Sequence, residues 1–211
     1  GPTGAGKSVL LNMIALQFLR YDEAQIFIFD KGGSFLTSTY AVGGHYYNVG
    51  SADKGGLIFQ PLANIDEQEE RVWAQDWVAG LLTNEGIQID PEVKETIWDA
   101  LTNLANTPEN QRTLTGLKAF MQDAKLRQAL DTYCLGGPYG ELLDSDQLAF
   151  YSNNWQCFEM EALMQVPDII APVLAYIFHV LEKRFTGEPT LMILDEAWLF
   201  LGHPIFLSLI H

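Results

Sequence analysis

The chain has 211 residues, 48% of them hydrophobic, which excludes a disordered or low-complexity segment and suffices for one α/β domain with a sizeable core. Twelve Lys and Arg against 27 Asp and Glu leave a formal charge of −15. That balance counts against a broad sequence-independent grip on nucleic acid and provides no polybasic signal for a membrane surface.

The first eight residues, Gly1-Pro2-Thr3-Gly4-Ala5-Gly6-Lys7-Ser8, match the phosphate-binding pattern G-x-x-x-x-G-K-[ST] in full. Such a loop joins a strand to a helix. The helix follows at once, with Val9, Leu10, Leu11, Met13, Ile14, Leu16, Phe18 and Leu19 apolar nearly all round, as in a buried helix. The strand expected before Gly1 is not in the sequence, so the chain reads as a fragment of a longer domain.

Gln25 to Phe29 is an apolar run with β-branched and aromatic residues, stopped at Asp30-Lys31-Gly32-Gly33, and reads as a buried parallel strand. His45 to Val49 and Leu57 to Leu62 read as two short strands or edge segments. Three helical patterns follow. One starts behind Asp66 as cap and runs to Thr83. The second has Asp90 as cap and Pro91 at its first position and runs to about Ala105; the third covers Leu114 to Tyr133. With no convincing strand between them they predict an inserted helical subdomain at about 66–135. Trp155 to Met160 is a strand candidate, an apolar helix follows Pro167 to about Phe185, and Thr190 to Leu194 is an apolar strand running into Asp195-Glu196. The apolar stretch Ile169 to Leu181 is shorter than the ~20 residues of a membrane span. No signal peptide is visible at the start, and with two cysteines too few for a disulfide scaffold the cytosol is the simplest compartment. Cys134 and Cys157 lack metal spacing and read as core or boundary thiols.

The chemistry these motifs point to is phosphate and metal handling. The N–H groups of Gly4, Ala5, Gly6 and Lys7 can wrap phosphates at the positive end of the helix. The Lys7 ammonium can reach the terminal phosphates and the Ser8 hydroxyl can bind Mg²⁺. An acid at the C-terminal end of a buried strand lies at the nucleotide edge of a parallel sheet, so Asp195 is the candidate metal carboxylate. Glu196 is the candidate general base for the attacking water. Two readings stand for Asp30 and Lys31: a pair on the nucleotide face, or an ordinary charged strand-to-loop turn. Glu159 needs a partner if buried, which favours a structural or coupling role. Trp73, Trp77 and Trp98 sit at helical spacings suited to core packing, and none of the four histidines is assigned chemistry.

Gly-Pro-Thr-Gly-Ala-Gly-Lys-Ser, Phe-Asp-Lys-Gly-Gly-Ser, Phe-Gln-Pro-Leu, Phe-Glu-Met and Leu-Asp-Glu-Ala-Trp together resemble the TrbE-like conjugal-transfer ATPases of type IV secretion systems, from Gly1 to about Leu201. The resemblance implies an α/β, RecA-like P-loop core of the HerA/FtsK group with a mostly parallel sheet. ATP and Mg²⁺ would be its cofactors: Gly1, Pro2, Thr3, Gly4, Ala5, Gly6, Lys7 and Ser8 would bind nucleotide, Ser8 and Asp195 the metal, and Lys7 and Glu196 would be catalytic. It further implies a hexameric homo-oligomer at the cytoplasmic face of the bacterial inner membrane, membrane-associated through secretion-channel and pilus-assembly partners. Gln60 departs from the Asn expected before Pro-Leu. The family's later glutamine-bearing strand and ring-closing arginine are expected beyond His211. Direct nucleic-acid binding by this stretch is not expected from its charge. The alternatives are a DNA-translocating ring motor of the same superfamily and a nucleotide-gated interaction module without turnover.

Overall fold

The computed structural model describes residues 5–51, 57–147 and 152–195. They fall into two compact units, one formed by 1–57 with 151–211 and the other by 58–150.

The first unit is a sheet with helices. Helix α1 (Ala5–Phe18) leads into strand β1 (Gln25–Asp30), helix α2 (Leu36–Ala41) and strand β2 (His45–Asn48). All six residues of β1 are buried, which is why it reads as an unbroken apolar run rather than an alternation. Its side chains still divide by parity. Ile26 and Ile28 pack with Ala15, Phe35, Trp155, Cys157 and Ile193, against Leu11 and Phe18 of α1. Phe29, from the other parity, stacks on Phe158 at 5.0 Å and on Phe178 at 5.1 Å.

The second unit is helical throughout its regular structure: α3 (Gln68–Asn84), α4 (Pro91–Ala105), α5 (Leu114–Ala119), α6 (Ala124–Leu130) and α7 (Gly140–Leu143), with single 3₁₀ turns at Glu109–Gln111 and Asp131–Tyr133. On α4 the buried residues are Ile97, Ala100, Leu101 and Leu104, the spacing of one helix face. Asp90 caps that helix through Val93 N–H, ahead of Pro91, as its sequence predicts.

The chain then returns to the first unit with β3 (Trp155–Glu159), α8 (Glu161–Met164), α9 (Pro167–Glu182) and β4 (Thr190–Leu194). The sheet has four strands in the order β2-β3-β1-β4, and every paired neighbour is parallel. This is the expected α/β class with a parallel sheet. The register aligns the carboxyl ends: Asp30 is opposite Glu159, and Phe29 is opposite Leu194, so Asp195 follows at the same edge.

Several local expectations need correction. Helix α1 is not buried all round. Val9, Leu10 and Met13 are each close to 60% exposed, because only the stripe carrying Leu11, Ala15 and Phe18 meets the sheet core. Residues 57–62 form no strand; Phe59 instead donates to Leu142 C=O in α7 and accepts from Ser145 N–H just beyond it. Asp66 does not cap α3. The cap position is Glu67, with no side-chain bond, and the Asp66 carboxylate accepts from Arg112 Nη1 at 2.5 Å instead. The stretch 114–133 is not one helix. Asp123 accepts from Lys125 N–H and Leu126 N–H, and this new cap restarts the chain as α6 after a break at 120–123. Helix α2 was not legible, being too short to show a period. Cys134 and Cys157 are buried free thiols, and burial pushes Cys134 up to about 11.

Candidate functional site

At the carboxyl edge of the sheet three acidic side chains are nearly inaccessible: Asp30 (1% exposed), Asp195 (5%) and Glu159 (6%). Buried carboxylates must be paired or hydrogen-bonded, and each of these is satisfied differently.

Asp195 lies just beyond β4, with its N–H donating to Phe29 C=O at 2.9 Å, so the sheet ladder fixes its backbone. Its Oδ1 is 2.9 Å from Lys7 Nζ, in the first turn of α1. This contact joins the two ends of the described chain: Lys7 and Asp195, expected from sequence to share one site, meet directly. Ser8 stands in the same turn, its carbonyl accepting from Asn12 Nδ2 at 2.9 Å.

Asp30 closes the turn that follows β1. Its Oδ1 accepts from Lys31 N–H at 2.9 Å and from the Ser34 hydroxyl at 2.6 Å, and its Oδ2 accepts from Phe35 N–H at 3.0 Å. Burial raises its pKa above the usual aspartate range. The bonds from Ser34 and Phe35 oppose that rise, while Glu159 and Asp195 nearby add to it.

Glu159 ends β3 and holds the same turn from the other side. Oε1 accepts from Gly32 N–H at 3.1 Å and Glu161 N–H at 3.0 Å; Oε2 accepts from Gly33 N–H at 2.9 Å and the Tyr46 hydroxyl at 3.1 Å. Gly32 (φ 92°) and Gly33 (φ 75°) are both left-handed, which turns two consecutive N–H groups onto one carboxylate; residues with a Cβ rarely adopt that conformation. The sequence reading of Glu159 as structural or coupling is given its partners here. Tyr46 is held above the ordinary tyrosine range by its burial and by the Glu159 charge.

Asn12 and Tyr46 at this edge were not singled out from sequence, and Ser34 stood there only as the last residue of Phe-Asp-Lys-Gly-Gly-Ser, with no role assigned. Ser34 links Asp30 to Asp195. Asn12 donates to Ser34 C=O at 3.1 Å and accepts from the Ser38 hydroxyl at 2.5 Å, tying α1 to the β1–α2 turn. Tyr46 completes the Glu159 cluster. An Asn inside an otherwise apolar helix, one turn beyond Ser8, was the available signal for Asn12. Tyr46 carries no local signal, because Glu159 is remote in sequence; Ser34 stands four residues from Asp30, but its second partner, Asp195, is remote. Lys31 is exposed at this edge. Gly1 to Gly4 and Glu196 lie outside the described residues. Trp73 stacks on Trp77 at 5.8 Å and Arg71 covers Trp98 at 5.5 Å, all within the helical unit, in keeping with a packing role.

The chain is 42% identical over 212 aligned residues to "Conjugal transfer protein TrbE" of Rhizobium radiobacter, covering 98% of this chain and 26% of that protein. The similarity to TrbE runs through nearly the whole chain. It is also 40% identical over 210 residues to a probable conjugal transfer protein TrbE of Sinorhizobium fredii, covering 98% of this chain and 31% of the relative. The chain spans between a quarter and a third of the length of these relatives. At greater distance it is 26% identical over 203 residues to "Type IV secretion system protein virB4" of Bartonella henselae, covering 94% of this chain and 26% of that protein. A solved structure, "Structure of VirB4 of Thermoanaerobacter pseudethanolicus", shares the fold with a TM-score of 0.67 at 18% identity, over 94% of this chain and 59% of that one. No protein-family model matches the chain. Among the described residues no helix is long and apolar enough to cross a membrane.

Proposed function

We propose that the chain is the nucleotide-binding core of an ATPase that binds and hydrolyses Mg-ATP to power conjugative transfer through a type IV secretion system. The observation that carries this reading is the 2.9 Å contact between Lys7, inside a complete phosphate-loop pattern, and Asp195, at the end of a parallel strand. The names of the TrbE and VirB4 relatives supply the conjugal and secretion context.

The donor set suits the nucleotide and its metal. The first turn of α1 presents backbone N–H groups and the Lys7 cation to phosphate, while the Ser8 hydroxyl and Asp195 carboxylate are hard oxygen ligands of the kind Mg²⁺ takes. Bound Mg²⁺ would neutralise charge on the phosphates. Gly1 to Ser8 bind the phosphates in this reading, and Lys7 exchanges Asp195 for phosphate oxygens. That exchange would leave the Asp195 carboxylate and the Ser8 hydroxyl as the groups to hold the metal. Glu196 takes the proton of the attacking water. Residues 1–211 belong to one P-loop domain, with 66–135 as its helical insertion.

The working form is a homo-oligomeric ring, hexameric by analogy with the superfamily. It is held at the cytoplasmic face of the inner membrane by secretion-channel and pilus-assembly partners. The −15 charge argues that this stretch does not itself grip DNA. The test is ATP turnover by the full-length protein, wild type and Lys7→Ala, with and without DNA. DNA-independent turnover that Lys7→Ala reduces by about 10²-fold or more supports the reading. Unchanged turnover in Lys7→Ala refutes it. Strict dependence on DNA favours a DNA-translocating motor, and nucleotide binding without turnover favours a nucleotide-gated module.

A further inference from the structure

The turn between β1 and α2 places one hydroxyl between two buried carboxylates. Ser34 Oγ is 2.6 Å from Asp30 Oδ1 and 3.4 Å from Asp195 Oδ2. A serine hydroxyl has a single proton, so the short bond to Asp30 takes it and the longer contact to Asp195 is the weaker one. Asp30 is itself immobilised by Lys31 N–H and Phe35 N–H. The turn is fixed on two further sides, by Glu159 on Gly32 and Gly33 and by Asn12 on the Ser34 carbonyl. Asp195 therefore meets a cation on Oδ1 and a hydroxyl on Oδ2, each delivered by a different element.

We infer that Ser34 is a positioning residue for Asp195, with Asp30 as its anchor. Once its proton turns from Asp30 to Oδ2, it holds that oxygen and leaves Oδ1 to the cation that Asp195 serves. This rests on the proposed role of Asp195 at the metal. In the contact seen here that cation is Lys7. When Lys7 turns to phosphate, the Ser34 proton is a donor that stays within reach of Asp195. A rotation about the Ser34 Cα–Cβ bond carries it from Asp30 towards Oδ2. The same proton relieves the repulsion between the two carboxylates, whichever of them it faces.

The test is equilibrium binding of a fluorescent ATP analogue to the full-length protein, once with Mg²⁺ and once with the metal chelated. Ser34→Ala should weaken binding with Mg²⁺ by about five-fold, the scale of one ordinary hydrogen bond, and leave metal-free binding unchanged. Ser34→Thr keeps the hydroxyl and should restore binding with Mg²⁺. Asp195→Asn, measured alongside, should remove the enhancement by Mg²⁺ altogether. If Asp195→Asn removes it and Ser34→Ala keeps it in full, the Ser34 assignment is wrong and the metal reading stands. Equal weakening by Ser34→Ala with and without metal would make Ser34 only a structural part of the turn, which also overturns the inference. An enhancement that survives Asp195→Asn overturns the metal reading, and the inference with it.

Discussion

Replacing Glu159 by Gln should cost the first unit about 2–3 kcal/mol, and the size follows from counting donors. The carboxylate accepts four hydrogen bonds, two on each oxygen, while the isosteric amide has a single oxygen. If the NH₂ takes the Oε1 position, two backbone donors, Gly32 N–H and Glu161 N–H, are left facing another donor. If it takes the Oε2 position, the Tyr46 hydroxyl can reverse and accept, and only Gly33 N–H is stranded. The second arrangement is preferred. It leaves one unsatisfied buried N–H, costing about 1–3 kcal/mol, and removes charge assistance from the two bonds that remain. Relief from burying a charge offsets part of this. The assay is urea unfolding of the wild type and Glu159→Gln, with hydrogen exchange followed separately at residues 25–50 and in the helical unit. Exchange at Gly32 and Gly33 should accelerate while α3 and α4 stay protected. A change below about 0.5 kcal/mol, the level of an ordinary surface substitution, would refute the reasoning that this carboxylate holds the turn.

Two further outcomes concern the same unit. Tyr46 has a folded-state pKa above its unfolded value of ~10, so its contribution is present below that pH and lost as pH rises through and beyond it. Tyr46→Phe should therefore be less stable than wild type at neutral pH, by about 1 kcal/mol, with the gap closing in unfolding curves taken above pH ~10. Glu23 is exposed and left-handed at φ 53°. Glu23→Gly should stabilise by about 0.5 kcal/mol and Glu23→Val should destabilise by ~1 kcal/mol, both read as shifts in thermal unfolding.

Strand β1 was legible because a parallel strand covered on both faces leaves a continuous apolar run, Ile26 to Phe29; β4 shows a similar run, Leu191 to Leu194, although only Ile193 of it is buried. Helix α4 was legible from its cap and proline. The 120–123 break was not, since it contains neither Gly nor Pro and depends on Asp123 capturing two N–H groups. The exposure of Val9, Leu10 and Met13 depends on how much of α1 the sheet covers, which an all-round apolar pattern does not encode. At the site, Lys7, Ser8 and Asp195 could be read because each sits in a local motif. The links from Ser34 to Asp195, from Asn12 to the β1–α2 turn and from Tyr46 to Glu159 are tertiary. Strand register brings Asp30 and Glu159 side by side, and no spacing along the chain announces that.

The central claim is that this edge performs ATP hydrolysis with separate roles for the adjacent acids, and Glu196→Gln tests it most directly. The substitution keeps size and hydrogen bonding but removes the base. ATP affinity and turnover should be measured on the same purified full-length protein. The prediction is near-normal affinity with turnover slowed by about 10²-fold or more, and ATP-bound assemblies accumulating. Equal loss of binding and turnover, or unchanged turnover, would contradict it.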